Sequence, residues 1–145
     1  MTAALASSHP GVGVAEVELL LVDDGTNRRA RFGLTYAQGA GPATVFCKAA
    51  DPAHAQLNAR MGGALNEPRL FQQGVALPLE HPAVHFSAFD ESTLDFVLVM
   101  EDVTQRGGDP RDATRPLSID QAANGVAALA RLHSAYWGSR LTDDP

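Results

Sequence analysis

Between Val14 and Ala49 the chain carries three strand-like segments separated by two short turn sequences, and links that short join only antiparallel neighbours. Val14 to Val22 (VAEVELLLV) is apolar and partly alternating, the pattern of a strand. Asp23-Asp24-Gly25-Thr26-Asn27 supplies the residue types that a tight reversal needs. Arg29 to Tyr36 sets Arg29, Arg31, Gly33 and Thr35 against Ala30, Phe32, Leu34 and Tyr36, the cleanest period of two in the chain. Gln38 to Pro42 forms a Gly-containing turn, and Ala43 to Ala49 is a third strand. Residues two apart on a strand share a face, so Phe46 and Lys48 project together and Cys47 projects to the opposite side.

The remaining elements follow in order. A helical stretch from about Pro52 to Gln73 is interrupted by Gly62-Gly63 and by Pro68, which predicts two short helices or one broken helix. Pro68 confines Glu67 to a first helical turn with Asn66 as cap. Pro82 to Phe89 and Leu94 to Met100 (LDFVLVM) read as two further strands across an Asp90-Glu91-Ser92 turn, and Glu101 to Pro116 as a polar loop. Ser118-Ile119-Asp120-Gln121 matches a capping box at the start of a long helix. Ile119, Ala122, Ala123, Val126, Ala130, His133 and Trp137 then recur at helical spacing, and Gly138 ends the pattern. The fold class expected is α+β, a five-stranded antiparallel sheet with a broken helix after the third strand and a long C-terminal helix.

Lys48 is the only lysine among the 11 basic residues. A bias toward arginine, as in a GC-rich genome, accounts for the scarcity of lysine but not for one kept directly after the apolar run Ala43–Cys47. An aromatic ring beside an ammonium on a strand suits a nucleotide, the ring stacking on a base while the point charge meets phosphates. A partly buried ammonium needs an anion, and Glu67 in the following helical segment is its natural partner, although the short leash imposed by Pro68 works against the pair. The alternative is a solvated lysine on an edge strand beside a core phenylalanine.

Taken together, Gly25-Thr26-Asn27 in the first hairpin, VFCK ending at Lys48, NEPRLF around Glu67, FVLVMEDV from Phe96 to Val103 and LARLHSAYWG from Leu129 to Gly138 resemble the N-terminal lobe of the aminoglycoside phosphotransferase and small-molecule kinase family, within the protein-kinase-like fold. The strand running into Met-Glu-Asp and the helix ending in Leu-His before Trp-Gly resemble bacterial members most closely. The resemblance covers about Val14 to Trp137 and implies an ATP-dependent phosphotransferase acting on the hydroxyl of a small molecule, with ATP and Mg²⁺ as cofactors. It implies that Lys48 contacts the α/β-phosphates and pairs with Glu67. Phe46 would stack on adenine, Met100 would line the back of the pocket, and the Glu101 carbonyl and Val103 N–H would bond the base edge. The hairpin of Gly25, Thr26 and Asn27 would lie over the phosphates, although it has one glycine and no G-x-G-x-x-G.

The same resemblance divides the chain into an N-terminal tail (1–13), a nucleotide-binding lobe (14–101), an interlobe linker (102–117), a helix leading to a second lobe (118–138) and a tail (139–145). The catalytic aspartate and the Mg²⁺ ligands of such enzymes lie in that second lobe, in a His-Gly-Asp type motif that does not occur here. The chain alone is therefore expected to be inactive, and acceptor identity and the choice of ATP or GTP stay open. A separate catalytic-lobe polypeptide, or self-association through the Ser118–Trp137 helix, is the expected partner. A non-catalytic α+β binding module and the remnant of an interrupted kinase gene are the alternatives.

Other chemistries find little support. With 17 acidic residues against 11 basic and a net charge of −6, the chain lacks the basic clusters that nucleic-acid binding requires. No metal site is expected of the five histidines, His81 and His85 read as surface or turn residues, and Glu101-Asp102 as a solvated acidic pair. No Gly-x-Ser-x-Gly elbow occurs. No apolar run approaches the roughly 20 residues of a membrane span, Met1 to Pro10 lacks a signal-peptide pattern, and the single Cys47 fits a reducing cytoplasm.

Overall fold

The computed structural model describes residues 1–23, 25–74, 76–110 and 114–137, and these fall into two compact units. The first comprises Met1–Val75 with Pro82–Gly108, the second Ala76–His81 with Asp109–Pro145. In chain order the first unit contains α1 (Thr2–Leu5), β1 (Gly13–Val22), β2 (Asn27–Gln38), β3 (Thr44–Ala50), α2 (Ala55–Met61), α3 (Asn66–Gln72), β4 (Val84–Phe89) and β5 (Phe96–Glu101). The second contains α4 (Ile119–Tyr136).

The strands form one open antiparallel sheet in the order β1-β2-β3-β5-β4. The chain is thus an α+β protein, and the three-strand meander, the later strand pair and the C-terminal helix are present. β3 lies at the centre, where both of its edges are hydrogen-bonded and its period of two sorts its side chains between two apolar clusters. On one face Val45 packs with Leu5, Val12, Leu34 and Val99, with Phe32, Tyr36 and Cys47 around them. On the other, Leu98 and Met100 of β5 pack with Leu65 and Phe96, with Phe46 and Phe71 against them.

Residues 1–13, expected as a tail, are folded onto the first face. Leu5 of α1 is wholly buried and Val12 nearly so, because the apolar residues of Val45, Leu34 and Val99 on this face would otherwise meet water. A polar clasp accompanies them: Ser8 Oγ lies 2.9 Å from His9 Nδ1 and 3.0 Å from His85 Nδ1, with the two imidazole centroids 5.4 Å apart. His85, expected on the surface or in a turn, is therefore a half-buried residue of β4. Burial, and secondarily the charge of His9, holds its imidazole below the ordinary histidine value.

The helical stretch is broken at Gly62-Gly63, both with positive φ (65° and 77°), a conformation that side-chain-bearing residues rarely adopt. A 3-10 turn at Pro52–His54 precedes α2, capped by Asp51, whose side chain accepts from Ala53 N–H at 3.0 Å. Pro68 does not break α3. It is the third residue, where the backbone N–H would have no intrahelical partner, so its missing donor costs nothing. The cap is Leu65 rather than Asn66, and Asn66 is the first helical residue.

In the second unit the capping box is formed as expected: Gln121 N–H donates to Ser118 Oγ at 3.2 Å and Ser118 N–H to Gln121 Oε1 at 2.9 Å. Ile119, Val126, Leu129 and Trp137 are exposed. The expected helix end at Gly138 and the tail 139–145 lie outside the described residues. No helix among the described residues is long and apolar enough to cross a membrane.

The N-terminal segment makes a sharp expectation. Leu5→Ala should lower the unfolding free energy by about 2–5 kcal/mol, the cost of a cavity in a close-packed core, while Leu57→Ala on exposed α2 should change it by less than about 0.5 kcal/mol. Urea denaturation of both variants checks this.

Candidate functional site

The second face of the sheet carries the polar chemistry. β2, β3 and β5 pair Arg31 with Phe46 and Phe46 with Met100, and one step along they pair Arg29 with Lys48 and Lys48 with Leu98. Partners directly opposite in an antiparallel sheet share a face. Arg29, Arg31, Phe46, Lys48 and Met100 therefore look out on the same side, and Cys47 is on the other. There burial pushes the Cys47 thiol up to about 11, which makes it a poor nucleophile at neutral pH.

Lys48 Nζ donates to Glu67 Oε2, so an ion pair joins the central strand to the first turn of α3. Pro68 does not prevent this contact. Because α3 begins at Asn66, Glu67 is already in its first turn, where a carboxylate is also favoured by the helix dipole. Lys48 keeps 24% of its side-chain surface and Glu67 39%, and at such exposure an ion pair contributes about 0–1 kcal/mol to stability. Its effect is to hold the ammonium in place rather than to hold the fold together.

Lys48 and Glu67 line a cleft of about 170 Å³ together with Thr26, Asn27, Asn58, Met61, Gly62, Gly63 and Ala64. Of the nine residues singled out in the sequence, Thr26, Asn27, Lys48 and Glu67 thus meet in one place. Two features of this cleft were not foreseen. Asn58 of α2 donates from Nδ2 to the Thr26 carbonyl at 3.2 Å and to Asn27 Oδ1 at 3.4 Å, tying the first hairpin to the helix. Arg29 braces the same hairpin from within, its Nε on the Asp23 carbonyl at 2.9 Å and its Nη2 on Asp23 Oδ1 at 3.1 Å. Gly25 is not among the cleft-lining residues; a Cβ there would lie 3.0 Å from Arg29 Nη2, so this glycine makes room for the brace.

Phe46 and Met100 belong to the apolar cluster on this face, Met100 buried and Phe46 half-buried. Glu101 ends β5, its N–H donating to the Ala83 carbonyl at 2.7 Å. Its carboxylate accepts from Ala83 N–H at 3.0 Å and Arg106 Nε at 2.7 Å; the Ala83 bond is the main reason its carboxyl lies below the usual range. Val103 begins a 3-10 turn, Val103–Arg106, where a loop was expected.

Asp102, expected as half of a solvated acidic pair, is 3% exposed. Its Oδ1 accepts from Thr104 N–H (3.2 Å) and Thr104 Oγ1 (2.7 Å), its Oδ2 from Thr44 Oγ1 (2.8 Å), and Arg31 Nε approaches Oδ2 to 3.0 Å. Burial by itself would push this carboxyl up, but the Thr104 and Thr44 hydrogen bonds and the Arg31 charge outweigh it and hold it below the ordinary value. The segment Glu101–Val103 is thereby fastened to both β2 and β3.

Among the described residues no group of three or more His, Cys, Asp or Glu side chains could hold a metal ion. No protein-family model, curated protein or solved structure matches the chain.

A carboxyl whose folded pKa is depressed contributes stability that is present above its unfolded value, about 3.9, and lost as pH falls through the folded one. Asp102→Asn should therefore cost about 1–3 kcal/mol at neutral pH, by leaving buried donors poorly matched, and should shallow the loss of stability on acidification. Denaturant unfolding at pH 7 and at successively lower pH checks both effects.

Proposed function

We propose that the chain binds a nucleoside triphosphate on the Lys48 face of its sheet, as the nucleotide-binding lobe of an ATP-dependent phosphotransferase that acts on a small-molecule hydroxyl. The observation that carries this reading is the Lys48–Glu67 pair at a cleft shared with the first hairpin. A lysine on the third strand, oriented by a glutamate from a helix between the third and fourth strands, is the arrangement by which kinases hold the α/β-phosphates. The chemistry of the donor set agrees. Lys48 offers a fixed positive charge, and Thr26 and Asn27 border the same cleft with polar groups.

In this reading Phe46 and Met100 supply the apolar surface for the base, and the Glu101 carbonyl and Val103 N–H its hydrogen-bonding edge. Asp102 serves by fastening the segment between them. The chain contains no His-Gly-Asp, and its own residues account for binding and orienting the triphosphate. Mg²⁺, bound with the nucleotide, would supply charge neutralisation of the phosphates, with ligands other than the residues assigned here.

A second reading, a non-catalytic binding module, is favoured by the exposure of Ile119, Val126 and Leu129 on α4 and of Trp137 just after it, since an apolar stripe of this kind promotes association. In that case ligand binding would not depend on Lys48.

Calorimetric titration of the chain with Mg·ATP separates the two. The nucleotide reading expects saturable binding, weakened about tenfold or more in Lys48→Met, equivalent to about 1.4 kcal/mol or more, with circular dichroism unchanged. Glu67→Gln should weaken it less, because the ammonium remains and only its orientation is lost. A folded wild-type chain that binds no nucleotide, or a Lys48→Met variant that binds as well as wild type, would contradict the assignment.

A further inference from the structure

Arg31 stands beside the proposed base site and is only partly accounted for by the fold. It lies directly opposite Phe46 in the β2–β3 ladder, on the face that also carries Lys48. Its Nε is 3.0 Å from Oδ2 of the buried Asp102, and that contact is an ion pair without an aligned hydrogen bond. Among the described residues Arg31 has no other partner, so the terminal nitrogens of its fork are uncommitted, while the side chain keeps 29% of its surface. Two residues along the same face Gly33 has no side chain, and the nearest atom to where a Cβ would stand is on Leu20, at 3.4 Å.

Were Arg31 merely the counter-ion of Asp102, the stronger geometry would be a bidentate grip, two parallel N–H bonds from fork to carboxylate. The carboxylate instead accepts hydrogen bonds from Thr44 and Thr104, and Arg31 approaches it at Nε without a hydrogen-bonded fork. A guanidinium drawn to a buried carboxylate by charge, with no hydrogen bond from its outer nitrogens and an aromatic ring as its cross-strand neighbour, is suited to lie against a planar π-system. Nucleobases are recognised by arginine planes in this way.

Resting on the nucleotide reading above, we propose that Arg31, oriented by Asp102, stacks on the nucleobase beside Phe46, so that Arg31 contributes to base recognition and Lys48 to phosphate recognition. Asp102 is in this respect a positioning residue. The base term is separable from the phosphate term, because a ligand that has the phosphates and no base reports only the second.

The test titrates the full chain with Mg·ATP and with Mg·tripolyphosphate. Arg31→Met should weaken ATP binding about tenfold and tripolyphosphate binding by less than about twofold, whereas Lys48→Met should weaken both. Arg31→Lys, which keeps the charge and loses the plane, should behave toward ATP like Arg31→Met. Because Arg31→Met strands a buried carboxylate, the double variant Arg31→Met/Asp102→Asn removes both partners and is measured alongside, with thermal melting as the control for folding. Equal weakening of both ligands in the Arg31 variants, ATP binding unaffected in the double variant, or wild-type affinities that are the same with and without the base would each overturn the proposal. The last of these would leave the phosphate site intact. A wild-type chain that binds neither ligand would instead overturn the nucleotide reading on which the proposal rests.

Discussion

A lysine ammonium on the central strand of a sheet needs a carboxylate that no neighbouring strand supplies here, and Glu67 reaches it from α3. Much of the first unit's arrangement serves that contact. β3 must be internal, so that the sheet supports Lys48 from both sides, and α3 must begin close to the strand's second face. The glycine pair at 62–63 turns the chain between α2 and α3, and Pro68 is tolerated because Glu67 sits in the first turn. At its exposure the pair adds little to stability. An ion pair of small energetic value in the lining of a cleft is more readily explained by what it orients than by what it stabilises.

The sheet can present that face because the other one is closed. Leu5 and Val12 come from the first residues of the chain and complete the cluster around Val45, and the Ser8, His9 and His85 contacts bind the same segment to β4. At the far end of β5, Asp102 fastens the segment after the strand to Thr44 on β3 and to Arg31 on β2. Two separate anchors thus hold the elements around the Phe46–Lys48 face, one mostly apolar and one polar. The polar anchor carries a different liability, since a buried carboxylate that loses its donors carries its desolvation cost uncompensated.

The elements with local signals were legible in the amino-acid sequence. Period-two alternation over Arg29–Tyr36, the turn signal at Gly25 and Thr26 and the Ser118–Gln121 capping box each depend on residues within a few positions of one another, and each appears where expected apart from a residue or two at the strand ends. α1 was missed because a helix of four residues offers no periodicity to read. Asp102 was misjudged because its partners Thr44 and Arg31 lie 58 and 71 positions away, and beside Glu101 it has the local look of a solvated pair. His85 is partnered by Ser8, 77 residues distant. For the candidate site, alternation alone placed Phe46 and Lys48 on one face and Cys47 on the other. The bracing roles of Asn58 and Arg29 had no such signal, since an asparagine or arginine in these segments is equally at home in solvent.

The most direct measurement is a backbone amide map of the isotopically labelled chain during titration with Mg·ATP by NMR. Nucleotide bound on the Lys48 face should shift amides at 26–27, 46–48, 67 and 101–103 together, and leave those around Leu5, Val12 and Leu34 near their starting positions. Shifts gathered instead around the N-terminal clasp or along α4, or none at saturating nucleotide, would contradict a nucleotide site on this face of the sheet.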